Sequence, residues 1–140
     1  MKRLLIPLMM VAATTFSSHS LAETPADQRQ EVSLNPTQKA FVLGHMKNML
    51  ETIARINRHL ASQQPERVAQ LVKEMQQESQ KQKPKGIGKS FPDGFRSISK
   101  QMNMHWKELM TPTSDVGKVN GKMADILNQC NACHRSYKLK

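Results

Sequence analysis

The sequence predicts an all-α fold, an up-down-up-down antiparallel four-helix bundle in a single domain. Apolar residues recur at spacings of three and four in four successive segments, which is the period of an amphipathic helix. Turn-forming segments separate them, and no stretch alternates as a strand would. Short connections favour antiparallel neighbours. Because aromatic residues make up 4% of the chain and methionines number ten, the core must be aliphatic and rich in methionine.

The N-terminal segment, residues 1–22, has the features of a secretory signal peptide. Two basic residues precede an apolar run, and the segment closes on small residues where signal peptidase reads. The alternative, a membrane anchor, is disfavoured because the apolar run is too short to span a bilayer. We therefore expect export to the periplasm, no stable membrane insertion, a flexible leader over residues 23–34 and a folded domain over residues 35–140.

The first two helices are predicted from their starts and their apolar stripes. Asn35 is a good N-cap, and Pro36 suits the first helical position. The stripe of this first helix comprises Val42, Met46, Met49, Ile53, Ile56 and Leu60. A second helix starts near Pro65, and its stripe comprises Val68, Leu71, Val72 and Met75. The following run, QQESQKQK, is wholly polar, so we expect this helix to continue exposed or to fray.

The third and fourth helices follow two turn-rich loops. The loop KPKGIGKSFPDG precedes a third stripe, formed by Phe95, Ile98, Met102, Trp106 and Leu109. The segment TPTSDVGKVNG ends that helix, with Thr113 or Ser114 as the predicted cap of the fourth. The last stripe comprises Val119, Met123, Ile126, Cys130, Cys133, His134 and Tyr137.

The only two cysteines, Cys130 and Cys133, are followed at once by His134 in the last predicted helix. A thioredoxin-type pair requires a helix N-terminus beside a βαβ unit, which this all-helical pattern lacks. A structural zinc site usually needs four ligands, and only three candidates are grouped here. A disulfide would close a very small loop and restrict the unfolded chain little. These three chemistries are therefore the weaker interpretations of the motif.

Covalent attachment of haem accounts for all three residues. Two thioether bonds form with the porphyrin vinyl groups, the adjacent histidine reaches the iron, and C-x-x-C-H is the signature of that attachment. Export also fits, because c-type haem is attached outside the cytoplasm. We therefore predict one covalent haem c per chain, attached near the C-terminus of the last helix through Cys130 and Cys133. His134 is the predicted proximal ligand of the iron.

The C-terminal CNACHRSY on the last of four helices resembles the class II c-type cytochromes, the cytochrome c prime family. The sequence FPDG at 91–94 is similar to the loop before that family's third helix. The resemblance covers the chain from about Asn35 and implies a haem pocket; it also allows a homodimer. Family members commonly have arginine four residues after the haem histidine. Lys138 occupies that position here, and we assign it a contact at the haem edge.

The first helix offers His45, Met46 and Met49 as the distal ligand. In an antiparallel bundle the partner of His134 should lie early in that helix. Met46 fits best, because Met49 is nearly one turn further on and His45 is rotated by about 100°. The resemblance indicates the same choice, since MK early in the first helix is similar to the methionine-ligated members. Against it, a methionine in such a stripe is often core filler.

The formal net charge of +10 indicates that the binding partner is negatively charged. Nucleic acid is disfavoured by export, so we expect acidic redox partner proteins, steered by a basic ring at the haem end. The alternative is that these charges form a solvated, lysine-rich surface that only keeps the protein soluble. The ring comprises Lys81, Lys83, Lys85, Lys89, Arg135, Lys138 and Lys140. The expected function is electron transfer by a monohaem cytochrome. The alternatives are a five-coordinate haem protein that binds nitric oxide or carbon monoxide, and a non-haem bundle with a disulfide. We expect no enzymatic activity, because no distal acid–base pair is evident.

Overall fold

The computed structural model describes residues 26–140, so the predicted signal peptide lies outside the described residues. The described chain is mostly helical and confirms the all-α prediction, with α1 (Pro36–Ala61), α2 (Arg67–Gln82), α3 (Asp93–Leu109) and α4 (Val116–Ser136). The chain also forms a 3-10 helix (Ile87–Ser90) and two short strands, β1 (Gln30–Val32) and β2 (Tyr137–Leu139). α1 packs mainly on α2, and α3 on α4. Within residues 26–140, no helix is both long enough and apolar enough to cross a membrane.

The start of α1 is fixed by a capping box, as the sequence predicted. The Asn35 side chain accepts a hydrogen bond from the Gln38 amide at 2.9 Å, and the Gln38 side chain accepts one from the Asn35 amide at 3.1 Å. Pro36 occupies the first helical position. The Gln38 side chain also donates to the Ser90 hydroxyl at 3.0 Å. This bond joins the start of α1 to the loop between α2 and α3.

The cap of α4 differs from the prediction. Asp115, rather than Thr113 or Ser114, is the N-cap, and its carboxylate accepts from the Lys118 amide at 2.9 Å. The Thr113 hydroxyl accepts instead from the Asp115 amide at 3.1 Å. A carboxylate suits this position better than a hydroxyl, because its charge also complements the positive end of the helix dipole.

The predicted stripes of the four helices meet in one core, which we call the bundle core. Its buried members are Met49, Ile53, Ile56, Val68, Leu71, Val72, Met75, Trp106, Leu109, Val119, Met123 and Ile126. Trp106 is 0% exposed and is the largest fully buried side chain. The core is therefore aliphatic and methionine-rich around a single indole, as the composition indicated.

The predicted flexible leader, residues 23–34, includes a strand that the sequence analysis did not find. β1 pairs in parallel with β2, and Val32 lies opposite Leu139. Val32 is 1% exposed and contacts a second, smaller core, which we call the terminal core. Its buried members are Val32, Phe95 and Cys133, with Leu34, Phe91, Ile98, Tyr137 and Leu139 packed around them. Strands of three residues are too short to show alternation, and their pairing joins opposite ends of the chain.

The aromatic residues of the terminal core explain the FPDG sequence. The rings of Phe91 and Phe95 stack with centroids 4.5 Å apart, and Tyr137 meets Phe95 edge-on at 5.4 Å. A Cβ atom at Gly94 would overlap the Tyr137 hydroxyl. Glycine at this position therefore allows Tyr137 to lie over the first turn of α3.

Candidate functional site

A cavity of about 690 Å³ lies among the four helices and borders both cores. Cys130, Cys133 and His134 line it from α4, and Met46 lines it from α1. The structure thus brings together the three residues of the C-x-x-C-H motif and the methionine chosen as distal ligand. Volumes of roughly 300–1,000 Å³ are typical of cofactor and ligand pockets.

The two thiols of the motif lie in different cores. Cys130 is half-buried and packs against the bundle core, whereas Cys133 is 9% exposed and belongs to the terminal core. Neither forms a disulfide within the described residues. Burial raises the pKa of both thiols, and the Cys130 thiol raises that of Cys133 further.

The zinc interpretation receives no support from the arrangement of the donors. Within residues 26–140, no group of three or more His, Cys, Asp and Glu side chains is arranged to hold a metal ion. His134 lies one residue after Cys133 on α4 and is exposed at the edge of the cavity. Its backbone carbonyl accepts a hydrogen bond from Arg29 at 3.2 Å. The N-terminal segment therefore contacts the α4 residue that carries the predicted proximal ligand.

All three candidate distal residues of α1 line the cavity, but their surroundings differ. Met49 is buried in the bundle core, whereas Met46 is half-buried and packs against that core from the cavity side. The ring of His45 stacks parallel to that of Phe41, with centroids 5.9 Å apart. Its Nδ1 atom is buried and has no hydrogen-bond partner among the described residues. Burial lowers the pKa of His45, and the charge of Lys83 lowers it further.

The sequence analysis missed the wall that α2 contributes to the cavity. α2 continues through the polar run to Gln82 instead of fraying, and Ser79 in that run is only 8% exposed. The residues of α2 that line the cavity are Gln76, Ser79 and Gln80, followed by Lys83 at the C-cap. They extend the apolar stripe of this helix at spacings of three and four. This spacing could have predicted the α2 wall, because a helix face that borders a cavity can be polar.

The wall of the cavity is strongly unbalanced in charge. Four cationic side chains line it, namely Lys83, Arg96, Lys100 and Lys107. No aspartate or glutamate is among the described residues that line the cavity. The remainder of the lining is mainly apolar, with Phe41, Val42, Ile87, Phe91, Phe95 and Met102 among its members. This combination suits an apolar ligand that carries negative charge at an edge.

Lys138, predicted to contact the haem edge, forms ion pairs with the N-terminal segment. It is not among the residues that line the cavity. Its Nζ atom lies 3.8 Å from the carboxylate of Asp27 and 3.6 Å from that of Glu31, and it donates to the Asp27 carbonyl at 3.3 Å. Because Lys138 belongs to β2 and both acids lie on or beside β1, its contacts attach the N-terminal segment to the C-terminus.

The predicted basic ring is reduced by similar pairing. Lys81 pairs with Glu78 at 3.8 Å, and Lys140 pairs with Glu31 at 3.4 Å. The ring members without an ion pair among residues 26–140 are Lys83, Lys85, Lys89 and Arg135. The unpaired positive charge is therefore concentrated on the loop between α2 and α3 and at the end of α4.

Comparison with protein-family models, with curated proteins and with solved structures found no match to this chain. Its function must therefore be inferred from the cavity and the side chains that line it.

Proposed function

We propose that this chain is a periplasmic monohaem c-type cytochrome that transfers electrons. Cys130 and Cys133 would hold one haem covalently, and His134 and Met46 would bind its iron. The observation that carries the proposal is that the C-x-x-C-H residues of α4 and Met46 of α1 line one cavity. Bound there, the haem would supply an iron atom that gains and loses one electron.

The fit of the cavity to a haem rests on its volume, its lining and its donors. The volume of about 690 Å³ suits a cofactor, and the mainly apolar wall suits a porphyrin face. The cationic side chains suit the two carboxylates that a haem carries at one edge. Thiols three residues apart on a helix lie on one face, and the adjacent imidazole lies close to them.

The role of Met46 decides between the two kinds of haem protein. With His134 and the Met46 thioether as its ligands, a haem iron would favour the reduced state and have a raised reduction potential. It also closes the iron to external ligands. Met46 lines the cavity while the bundle core supports its other side, so its rotation is restrained. A methionine held at the cavity in this way is consistent with an electron carrier.

The same packing supports a second candidate. If Met46 acts only as filler against the bundle core, the iron would stay five-coordinate and open on its distal side. The protein would then bind nitric oxide or carbon monoxide. The two candidates share the haem and the proximal histidine and differ only in the bond to Met46.

Absorption spectra of the purified protein and of a Met46→Leu variant test the proposal. Electron transfer through His/Met iron predicts sharp, split low-spin bands in the reduced protein and a weak far-red sulfur-to-iron band in the oxidised protein. Met46→Leu removes the far-red band, whereas Met49→Leu, in the same helix and cavity, preserves it. A broad high-spin spectrum in the unmodified protein that sharpens with carbon monoxide would support the gas-binding candidate instead.

The docking of an acidic redox partner is proposed for the unpaired cations, Lys83, Lys85, Lys89 and Arg135. Such charges raise the rate of encounter, and salt screens them over about 8–10 Å at moderate ionic strength. Electron transfer to an acidic acceptor protein should therefore slow as salt is added. A Lys85→Gln, Lys89→Gln variant should show a weaker salt dependence, whereas exchange of the already paired Lys81 should change it less.

A further inference from the structure

The side chain of His45 is the least explained polar group at the cavity. Its Nδ1 atom is buried without a hydrogen-bond partner among the described residues. Buried polar atoms in folded proteins are nearly always paired, because removing them from water without a partner costs stability. The ring is held parallel to Phe41 and lines the cavity. Because Nδ1 is shielded from solvent, the ring can meet a partner in the cavity only through its other nitrogen, Nε2.

A second observation indicates the chemistry of that partner. Lys83, at the C-cap of α2, lines the same cavity. It makes no ion pair among residues 26–140, and no carboxylate of the described residues lines the cavity. An imidazole and an ammonium group thus border one region without an acceptor from the protein. Both can donate hydrogen bonds, and a carboxylate can accept from both.

The position of His45 in α1 separates this role from that of Met46. Consecutive helix residues are rotated by about 100°, so the two side chains leave the helix in different directions. If Met46 faces the centre of the cavity, His45 faces towards its edge. Lys83 lines the cavity from the C-cap of α2, and α2 is the helix on which α1 mainly packs.

We propose that His45 and Lys83 form a carboxylate-binding subsite at the α1–α2 edge of the cavity. This inference rests on the proposed function, in which the carboxylate is a haem propionate. His45 donates a ring N–H to the propionate, and Lys83 contributes a charge-assisted hydrogen bond from the mouth of the cavity. The subsite fixes which edge of the porphyrin lies between α1 and α2.

Resonance Raman spectra of the haem protein test this subsite through the bending vibration of the propionates, which responds to hydrogen bonding. We expect His45→Leu and Lys83→Met each to lower the frequency of that vibration. His45→Gln keeps an N–H donor, so its propionate frequency should lie close to that of the unmodified protein. Lys85→Met is the matched control, because Lys85 lies in the same loop but does not line the cavity. It should leave the vibration unchanged.

The outcomes separate this inference from the function on which it rests. Unchanged propionate vibrations in both His45→Leu and Lys83→Met would overturn the subsite while leaving the haem in place. Loss of the sulfur-to-iron band in His45→Leu with unchanged propionate vibrations would overturn it in favour of a role for His45 in positioning Met46. Absence of any haem band in the unmodified protein would overturn the proposed function itself. Because Lys83 is exposed, Lys83→Met tests the subsite even if His45→Leu fails to fold.

Discussion

The bundle core and the terminal core differ in how far apart their packed residues lie in the sequence. The bundle core consists of stripes in which each residue packs beside others three or four positions away. The terminal core joins Val32 near one end of the described chain, Phe95 at the start of α3, and Cys133 near the other end. The bundle core can thus be assembled helix by helix, whereas the terminal core depends on contacts between distant parts of the chain.

This difference bears directly on the candidate site, because the cavity lies between the two cores. Cys130 packs against the bundle core, and Cys133 belongs to the terminal core. The two proposed attachment points therefore depend on separate packing. The N-terminal segment contributes to this end of the molecule through Val32 and through the hydrogen bond from Arg29 to the His134 carbonyl.

The largest expected effect comes from the bundle core. Trp106 is 0% exposed, so Trp106→Ala should lower the free energy of unfolding by about 3–5 kcal/mol through lost burial and an internal cavity. Urea unfolding of the two proteins measures the change. The control is Met104→Ala on the same helix, where the side chain is 47% exposed and the expected change is within about 0.5 kcal/mol. Similar values for the two variants would contradict the packing described for Trp106.

A steric test in the terminal core should have the next largest effect. Gly94→Ala places a methyl group against the Tyr137 hydroxyl and should lower the free energy of unfolding by about 1–3 kcal/mol. Tyr137→Phe removes that hydroxyl, so the Gly94→Ala, Tyr137→Phe double variant should recover much of the loss. Additive effects of the two changes, measured by a double-mutant cycle, would show that these residues do not clash.

Val32→Ala should separate the two cores most clearly. This substitution removes two buried methyl groups, so the free energy of unfolding should fall by about 1.5 kcal/mol, at ~0.8 kcal/mol for each group. The loss should be local. Hydrogen exchange should accelerate at the Lys140 amide, which donates to the Val32 carbonyl at 3.1 Å, and should stay slow at amides near Ile56 in the bundle core. Equal acceleration at both places would mean that the two cores unfold as one unit.

The smallest effect concerns the ion pairs that attach β1 to β2. Hydrogen bonding from Lys140 lowers the pKa of Glu31, and hydrogen bonding from Arg29 lowers that of Asp27. Because these folded-state pKa values lie below the unfolded ones, the pairing stabilises the fold above the ordinary carboxyl pKa. That stabilisation is lost as the pH falls through the folded values. The methyl resonances of Val32 should therefore shift below about pH 4.5.

Glu31→Gln should remove part of this acid response, because it leaves Lys138 and Lys140 without one of their carboxylate partners. Glu66→Gln is the control, since Glu66 is exposed and makes no ion pair among residues 26–140. An unchanged acid response in Glu31→Gln would exclude a contribution from the Glu31 pairing. Because these groups are exposed, their effect should also weaken in salt.

The same comparison explains how much of the molecule could be predicted from the sequence. The helices, the Asn35 cap and the bundle core follow from local spacing, which a single sequence displays. β1 could not be predicted in this way, because a three-residue strand shows no usable period and its partner lies more than a hundred residues away. The cap at Asp115 was missed because three consecutive residues can all serve as N-caps.

In the candidate site, too, the features that are local in the sequence could be predicted, whereas those that depend on distant residues could not. Its motif is contiguous in the sequence, and Met46, which was chosen from its position early in the first helix, lines the same cavity as that motif. The α2 wall was missed because polar residues on a helix face were interpreted as facing solvent. The pairing of Lys138 was not predicted, because its partners, Asp27 and Glu31, lie in a segment predicted to be a flexible leader.

The mass of the purified, denatured protein tests the central claim most directly, because a covalent haem remains attached when the fold is lost. We predict a mass greater than that of the processed polypeptide by one haem. A Cys130→Ala, Cys133→Ala variant, expressed and purified in the same way, should have the mass of its polypeptide alone. If the unmodified protein also has only the mass of its polypeptide, the two cysteines do not hold a haem and the proposed cytochrome function is wrong.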